Sequence, residues 1–144
     1  MFGRKVSKPQ NRIDCLIGAG TTIDGNISFP GGLRVDGHVR GNITAVDGKP
    51  GTLVLSEQAI VEGEIRASHV VINGRVSGSV HADEYVELQA KARVKGDVFY
   101  RMLEIQLGAV VEGGLVHQDD AKSDKIVKFK PASAEEQGAR GSGI

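Results

Sequence analysis

The chain has 144 residues, and its 18 Lys and Arg side chains are balanced by 18 Asp and Glu. This balance argues against a general nucleic-acid-binding protein, which would carry a basic stripe. No apolar run reaches the ~18 residues that a membrane-spanning helix needs. Val and Ile together number 28 against 8 Leu, and Gly numbers 20. Because β-branched residues favour strands and Gly favours turns, the composition predicts an all-β protein.

The chain begins with a basic arm, residues 1–13, which we expect to be disordered. Its positive charge comes from Arg4, Lys5, Lys8 and Arg12. No apolar core of a signal peptide follows Arg4 and Lys5, so we do not expect secretion. Cys15 is the single cysteine and cannot form an internal disulfide, which is typical of proteins in a reducing cytosol. We therefore expect a cytoplasmic protein.

An internal repeat occupies residues 14–116. Its form is apolar-x-apolar, three residues of variable type, a small residue, and then x-Val-x-Gly-x-apolar. Six units fit this frame, two of them shorter by two residues, and residues 44–52 form a longer connection that we interpret as a looped-out turn. The shared Gly recurs about every 18 residues, at positions 25, 41, 63, 78, 96 and 113.

Apolar and polar residues alternate within each unit, which is the period of a β-strand. In one unit the residues predicted to face inward are Leu53, Leu55, Ala59, Val61 and Ile65. Those predicted to face water are Ser56, Glu57, Gln58, Glu62 and Glu64. A repeat of about 18 residues is too short for a propeller blade of ~40 residues. It fits one coil of a parallel β-helix, so the sequence predicts a single β-helix domain of about six coils over residues 14–116.

A polar tail follows at residues 117–144. Its richness in Lys, Asp, Glu, Ala, Ser and Gly predicts disorder, because it cannot bury enough apolar surface to offset the entropy of ordering. Residues 126–130 alternate apolar and basic side chains. They are either a short contact site or part of a solvated tail.

Neither end of the predicted β-helix has a helical cap. The first coil would present Leu16, Ile17, Ile23 and Ile27. The last coil would present Leu103, Ile105, Val111 and Leu115. Open ends of a solenoid expose unpaired backbone groups above an apolar core. Stacking on the end of a second molecule would continue the solenoid, so the sequence predicts end-to-end assembly. The alternative is that tail residues fold back and cap the ends.

The uncapped repeat, the small size and the flanking tails resemble the bactofilins, a family of bacterial cytoskeletal proteins. The matching segments are residues 23–27, 35–43, 61–65, 71–80 and 94–98. The resemblance implies a right-handed β-helix that polymerises without nucleotide through its terminal coils, into filaments that pair like end with like end. Many bactofilins carry a Phe in the last coil where this chain has Val111. A smaller side chain buries less area and so predicts a weaker contact of the same type.

The resemblance also gives the basic arm a role, because many bactofilins bind the inner membrane through such a short sequence. The expected membrane contacts are Met1, Phe2, Arg4 and Lys5. Each cation adds roughly 1 kcal/mol near an anionic surface, which is weak for a monomer but can be strong when a polymer presents many arms. The family further implies a scaffold that organises cell-envelope or cell-shape machinery, with cell-wall enzymes or other envelope proteins as partners.

We expect no catalytic residue, cofactor, metal or nucleotide site. Gly18 to Gly20 precede a strand rather than a helix, so they do not form a phosphate loop. The four His residues fall in different units without metal-ligand spacing. Two alternatives to a filament scaffold stay open: a discrete β-helical adaptor that binds a cell-wall enzyme and, less favoured, a β-helix acyltransferase. The acyltransferase would show a strict six-residue period, which this sequence lacks.

Overall fold

The structure is a computed structural model that describes residues 13–46 and 50–119. Every regular element in these residues is a β-strand, and every strand pairing is parallel. The strands wind into a three-sided solenoid of six coils, which confirms the predicted all-β β-helix. The basic arm, most of the polar tail and the middle of the 44–52 connection lie outside the described residues.

Each coil contributes one strand segment to each of three faces. The first face contains β1 (Cys15–Ile17), β4 (Gly31–Val35), β7 (Gly51–Leu55), the second halves of β9 (Ile65–Ile72) and β11 (Val80–Leu88), and β14 (Met102–Ile105). The second contains β2 (Thr22–Asp24), β5 (His38–Arg40), β8 (Ile60–Glu62), β10 (Arg75–Ser77), β12 (Arg93–Lys95) and β15 (Val110–Glu112). The third contains β3 (Ile27–Phe29), β6 (Ile43–Ala45), the first halves of β9 and β11, β13 (Val98–Tyr100) and β16 (Leu115–His117). The first and third faces belong to one ten-stranded sheet because β9 and β11 continue around a corner.

The core consists of columns of aliphatic side chains that repeat from coil to coil. On the second face, one column joins Ile23, Val39, Val61, Val76, Val94 and Val111. On the third face, another joins Ile27, Ile43, Ile65, Val80, Val98 and Leu115. The five residues predicted to face inward in the unit from Leu53 to Ile65 are all at most 1% exposed. The two-residue period therefore identified the core correctly.

The repeated Gly stands at the corner between the second and third faces. At Gly63 the backbone has φ +155°, and an added Cβ would lie 2.2 Å from the carbonyl oxygen of Gly41 in the coil below. A side chain fits neither that φ nor that space, so the close stacking of coils requires Gly here.

Side chains one residue beyond this corner reinforce the stacking. The Asn26 side-chain oxygen accepts a hydrogen bond from the Asn42 backbone N–H at 2.9 Å, and the Asn42 oxygen accepts one from Glu64 at 2.9 Å. Asp97 accepts the equivalent bond from Gly114 at 2.8 Å. Each bond joins one coil to the next and holds the corners in register.

Candidate polymer interfaces

Both ends of the described rod are open. Strands β1, β2 and β3 pair only with the second coil, and β14, β15 and β16 pair only with the fifth, within the described residues. Each terminal strand therefore leaves one edge of backbone N–H and C=O groups without a strand partner in this part of the chain. Such an edge is a template for pairing with another chain.

The last coil carries the core columns to the surface. Leu115 is 44% exposed, whereas Val98, its register partner one coil earlier, is 0% exposed. Ile105 is 46% exposed, whereas its partner Leu88 is 0% exposed. These side chains occupy inward-facing positions, and within residues 13–46 and 50–119 no seventh coil covers them.

The structure brings all four C-terminal residues predicted from the sequence into one layer. Leu103, Ile105, Val111 and Leu115 stand at inward positions in register with Val86, Leu88, Val94 and Val98. Ala109 packs beside them against the core cluster. Leu107, in the turn after β14, is an exposed aliphatic side chain near this end, with 96% of its surface accessible. Sequence reasoning did not select Leu107, although an apolar residue in a turn of the last unit was a usable signal.

The N-terminal end is more covered. Ile17 is 7% exposed, and Ile23 and Ile27 are half-buried. Leu16 differs from these three, because it is in register with the outward-facing Arg34 and is 59% exposed on the side of the rod. The inward position next to it belongs to Cys15, in register with the buried Leu33. The alternation along β1 places Cys15, rather than Leu16, over the core at the exposed N-terminal end. The sequence analysis did not select Cys15 for this surface.

Asp14 holds the chain where it enters the first coil. Its carboxylate accepts a hydrogen bond from the Gly32 backbone N–H at 3.0 Å, and its own N–H donates to the Gly32 carbonyl at 2.9 Å. These two bonds join the entry segment to the second coil. They fix the position from which the basic arm departs.

The pKa values of His69 and Tyr85, in the body of the rod, are shifted by their surroundings. Burial lowers the pKa of His69, which is 3% exposed, while the nearby Glu84 partly opposes that shift. Burial, together with its hydrogen bond to Glu104 at 2.9 Å and the charge of Glu87, raises the pKa of Tyr85 to about 12. Both groups are therefore neutral near pH 7.

The described residues show no constellation suited to metal binding or membrane crossing. No group of three or more His, Cys, Asp or Glu side chains in residues 13–46 and 50–119 could hold a metal ion. No helix in the same residues is long and apolar enough to cross a bilayer. The predicted membrane contacts Met1, Phe2, Arg4 and Lys5 lie outside the described residues.

Comparison with known proteins agrees with this architecture. The bactofilin family model, described as polymer-forming cytoskeletal, matches residues 15–116. Bactofilin BacO of Myxococcus xanthus (strain DK1622) is 32% identical over 114 residues, covering 79% of this chain and 85% of BacO. Bactofilin BacP of the same organism is 26% identical over 129 residues, covering 90% of this chain and 52% of BacP, about half its length. No solved structure matches the chain significantly.

A solenoid of short parallel strands places the chain in the class of β-helical proteins. Within that class, the chain belongs to the bactofilin family. It is accordingly a non-enzymatic cytoskeletal protein that associates with itself.

Proposed function

We propose that this bactofilin assembles end to end, without nucleotide, through its terminal coils into filaments. The single observation that carries the proposal is the abrupt exposure of the core columns in the last coil. Leu115 and Ile105 are each more than two-fifths exposed, while their partners one coil earlier are fully buried. Covering this layer with the end of another molecule removes aliphatic surface from water at about 25 cal/mol per Å².

The backbone supports the same contact. The outer edges of β14, β15 and β16 have no strand partner among the described residues. A second rod placed against them would satisfy their N–H and C=O groups and cover the apolar layer in one step. The Val111 side chain belongs to this surface, on the second face, in register with the buried Val94.

The filaments further act as a scaffold on the cytoplasmic face of the inner membrane. Support for this part comes from the composition of the basic arm, in which Met1 and Phe2 adjoin Arg4 and Lys5. One arm binds an anionic surface weakly, but a filament presents one arm per subunit and gains avidity. The filament would position cell-envelope or cell-shape machinery, with cell-wall enzymes or other envelope proteins as partners.

Sedimentation of two neighbouring variants tests the assembly. Leu115→Arg places a charge over the apolar end layer, and we expect it to leave the protein in the supernatant. Val116→Arg is the matched control, because Val116 lies next in the same strand, is 36% exposed and faces the side of the rod. We expect Val116→Arg to pellet like the parent. Equal pelleting of the parent and Leu115→Arg would contradict the proposed C-terminal contact.

A discrete adaptor is the second candidate. It would use a side face of the rod and would not need open ends. Uniform small particles at every protein concentration, with the parent and Leu115→Arg alike, would favour it.

A further inference from the structure

A shallow groove of about 450 Å³ follows the outer side of the second face over the last four coils. Ile60 and Val110 lie at its two ends, and Arg75 and Arg93 lie between them in the same column. Lys95 lies beside Arg93 on the same strand. The order along the rod is therefore apolar, cationic, cationic, apolar, with one step of about 4.8 Å between neighbours.

The two arginines make an unfavourable pair within the protein itself. Arg75 and Arg93 are direct register partners on adjacent strands, and like charges in that position destabilise a sheet. Within the described residues, no carboxylate lies within ion-pair distance of Arg75 or Lys95. Arg93 uses one nitrogen to donate to the carbonyls of Ala92 and Gly108, at 2.9 and 3.0 Å. Its remaining N–H groups stay available to an anion.

The first half of the same face shows the opposite arrangement. Arg40 pairs with Asp24 at 3.2 Å, and His38 contacts Glu62 at 2.7 Å. Glu62 borders the groove but is engaged by His38. Glu112 borders it at the other end, in register with Lys95 rather than with either arginine. Arg75 and Arg93, the adjacent arginines in the middle of the groove, therefore have no carboxylate partner within the described residues.

We infer that this groove binds an extended segment of a partner protein in which an acidic residue stands between two aliphatic residues at alternate positions. Alternate residues of an extended strand are about 6.8 Å apart, so the outer two are about 13.6 Å apart. Three strand steps separate Ile60 from Val110, about 14.4 Å. The aliphatic side chains would contact Ile60 and Val110, and the carboxylate would lie between Arg75 and Arg93.

The exposed aliphatic ends favour a peptide over nucleic acid or a lipid headgroup. Ile60 is 37% exposed and Val110 is 40% exposed. A phosphate backbone would gain nothing from them. The polar tail of this chain, residues 117–144, contains no acidic residue with an aliphatic residue two positions away on both sides. The tail therefore does not supply the segment, which we assign to a different protein, and its binding does not depend on end-to-end assembly.

Fluorescence anisotropy with a dye-labelled peptide, Ser-Val-Ser-Glu-Ser-Val-Ser, tests the inference on the full chain. We expect salt-sensitive binding that weakens about tenfold when the peptide Glu is replaced by Gln, because the carboxylate then loses its charge-assisted bonds. Arg75→Gln should weaken binding about tenfold, and Arg75→Lys should restore part of it. Arg40→Gln, on the same face but outside the groove, is the control and should bind like the parent.

The melting temperature is a second measurement, and it separates loss of the binding site from loss of folding. Arg75→Gln should unfold at the same temperature as the parent or higher, because it removes the like-charge contact with Arg93. No binding of the peptide, or equal binding by the Glu and Gln peptides, would overturn the inference. So would unchanged binding by Arg75→Gln. Binding of a DNA oligonucleotide or of anionic vesicles that depends on Arg75 while the peptide does not bind would assign the groove to that ligand instead.

Discussion

The Nε2 atom of His69 lies 3.7 Å from the Oε1 atom of Glu84, while the other ring nitrogen is buried without a hydrogen-bond partner among the described residues. His69 stands where β9 turns from the third face to the first, in register with Thr52 and Tyr85. His69 therefore lies in the fourth coil, between the third and fifth coils, at a corner. Burial keeps it neutral, with consequences for the pH dependence of stability.

We expect the protein to lose stability as the pH falls below 6.5. Burial lowers the pKa of His69 in the folded state below its usual 6.5, so the unfolded chain binds more protons in this range. The contribution to stability is complete above pH 6.5 and declines as the pH falls toward the folded-state pKa. Thermal unfolding between pH 7.5 and 5.5 measures the effect.

The variant His69→Phe identifies the group responsible. It should lose fewer degrees of melting temperature than the parent over the same pH range. Some loss should persist, because burial and the charge of Arg66 also lower the pKa of His81. The Asp36 carboxyl, whose pKa is lowered by its hydrogen bond to Arg34, acts only below its usual 3.8 and does not interfere. Replacement of the exposed His117 by Gln is the control, and an equal pH effect in the His69→Phe variant would contradict the assignment.

Gly63→Ala should destabilise the rod by about 2–4 kcal/mol, because a Cβ is strained at this φ and meets the Gly41 carbonyl. For a folded rod of about 100 residues this corresponds to a fall in melting temperature of roughly 10–30 °C. Gly18→Ala is the matched control, since nothing lies within 4 Å of its added Cβ. Its melting temperature should equal that of the parent or be slightly higher. An equal melting temperature for the two variants would show that the corner position of Gly63 tolerates a side chain.

Deletion of residues 1–8 should release filaments from anionic vesicles while leaving assembly intact. The deleted segment holds Met1, Phe2, Arg4 and Lys5, and it precedes the hydrogen bonds that hold Asp14 to the second coil. Flotation of vesicles with the full chain and with the deletion measures binding. Electron microscopy of the same samples verifies that filaments persist. Unchanged flotation of the deletion would rule out the arm as the membrane contact.

Much of the fold could be predicted because the same pattern of apolar and polar residues occurs in six successive units. The alternation around Leu53 and Val61, repeated in each unit, identified the core columns without any knowledge of neighbouring coils. The number of faces was not fixed in this way, because the alternation does not show where one strand ends and the next begins within a unit. The third face is defined by the parallel pairing of β3 with β6 and of β13 with β16, which depends on contacts between coils.

The ends were predictable in part. The four residues of the last coil follow from the alternation and from the absence of a further unit. Leu16 was selected for its apolar character, although its register with Arg34 places it on the side of the rod. The adjacency of Arg75 and Arg93 depends on a register shared by two units of different length. That register is set by backbone pairing between coils, so a single unit does not reveal it.

The most direct test of end-to-end assembly is negative-stain electron microscopy of the parent, Val111→Arg and Val110→Arg, without nucleotide or metal. Val111 faces the open end layer, whereas its neighbour Val110 is 40% exposed and faces the groove on the side. An arginine at Val111 would bury an unpaired charge in the contact. We predict filaments for the parent and for Val110→Arg, and folded single particles for Val111→Arg. Filaments formed equally by Val111→Arg would contradict assembly through the last coil.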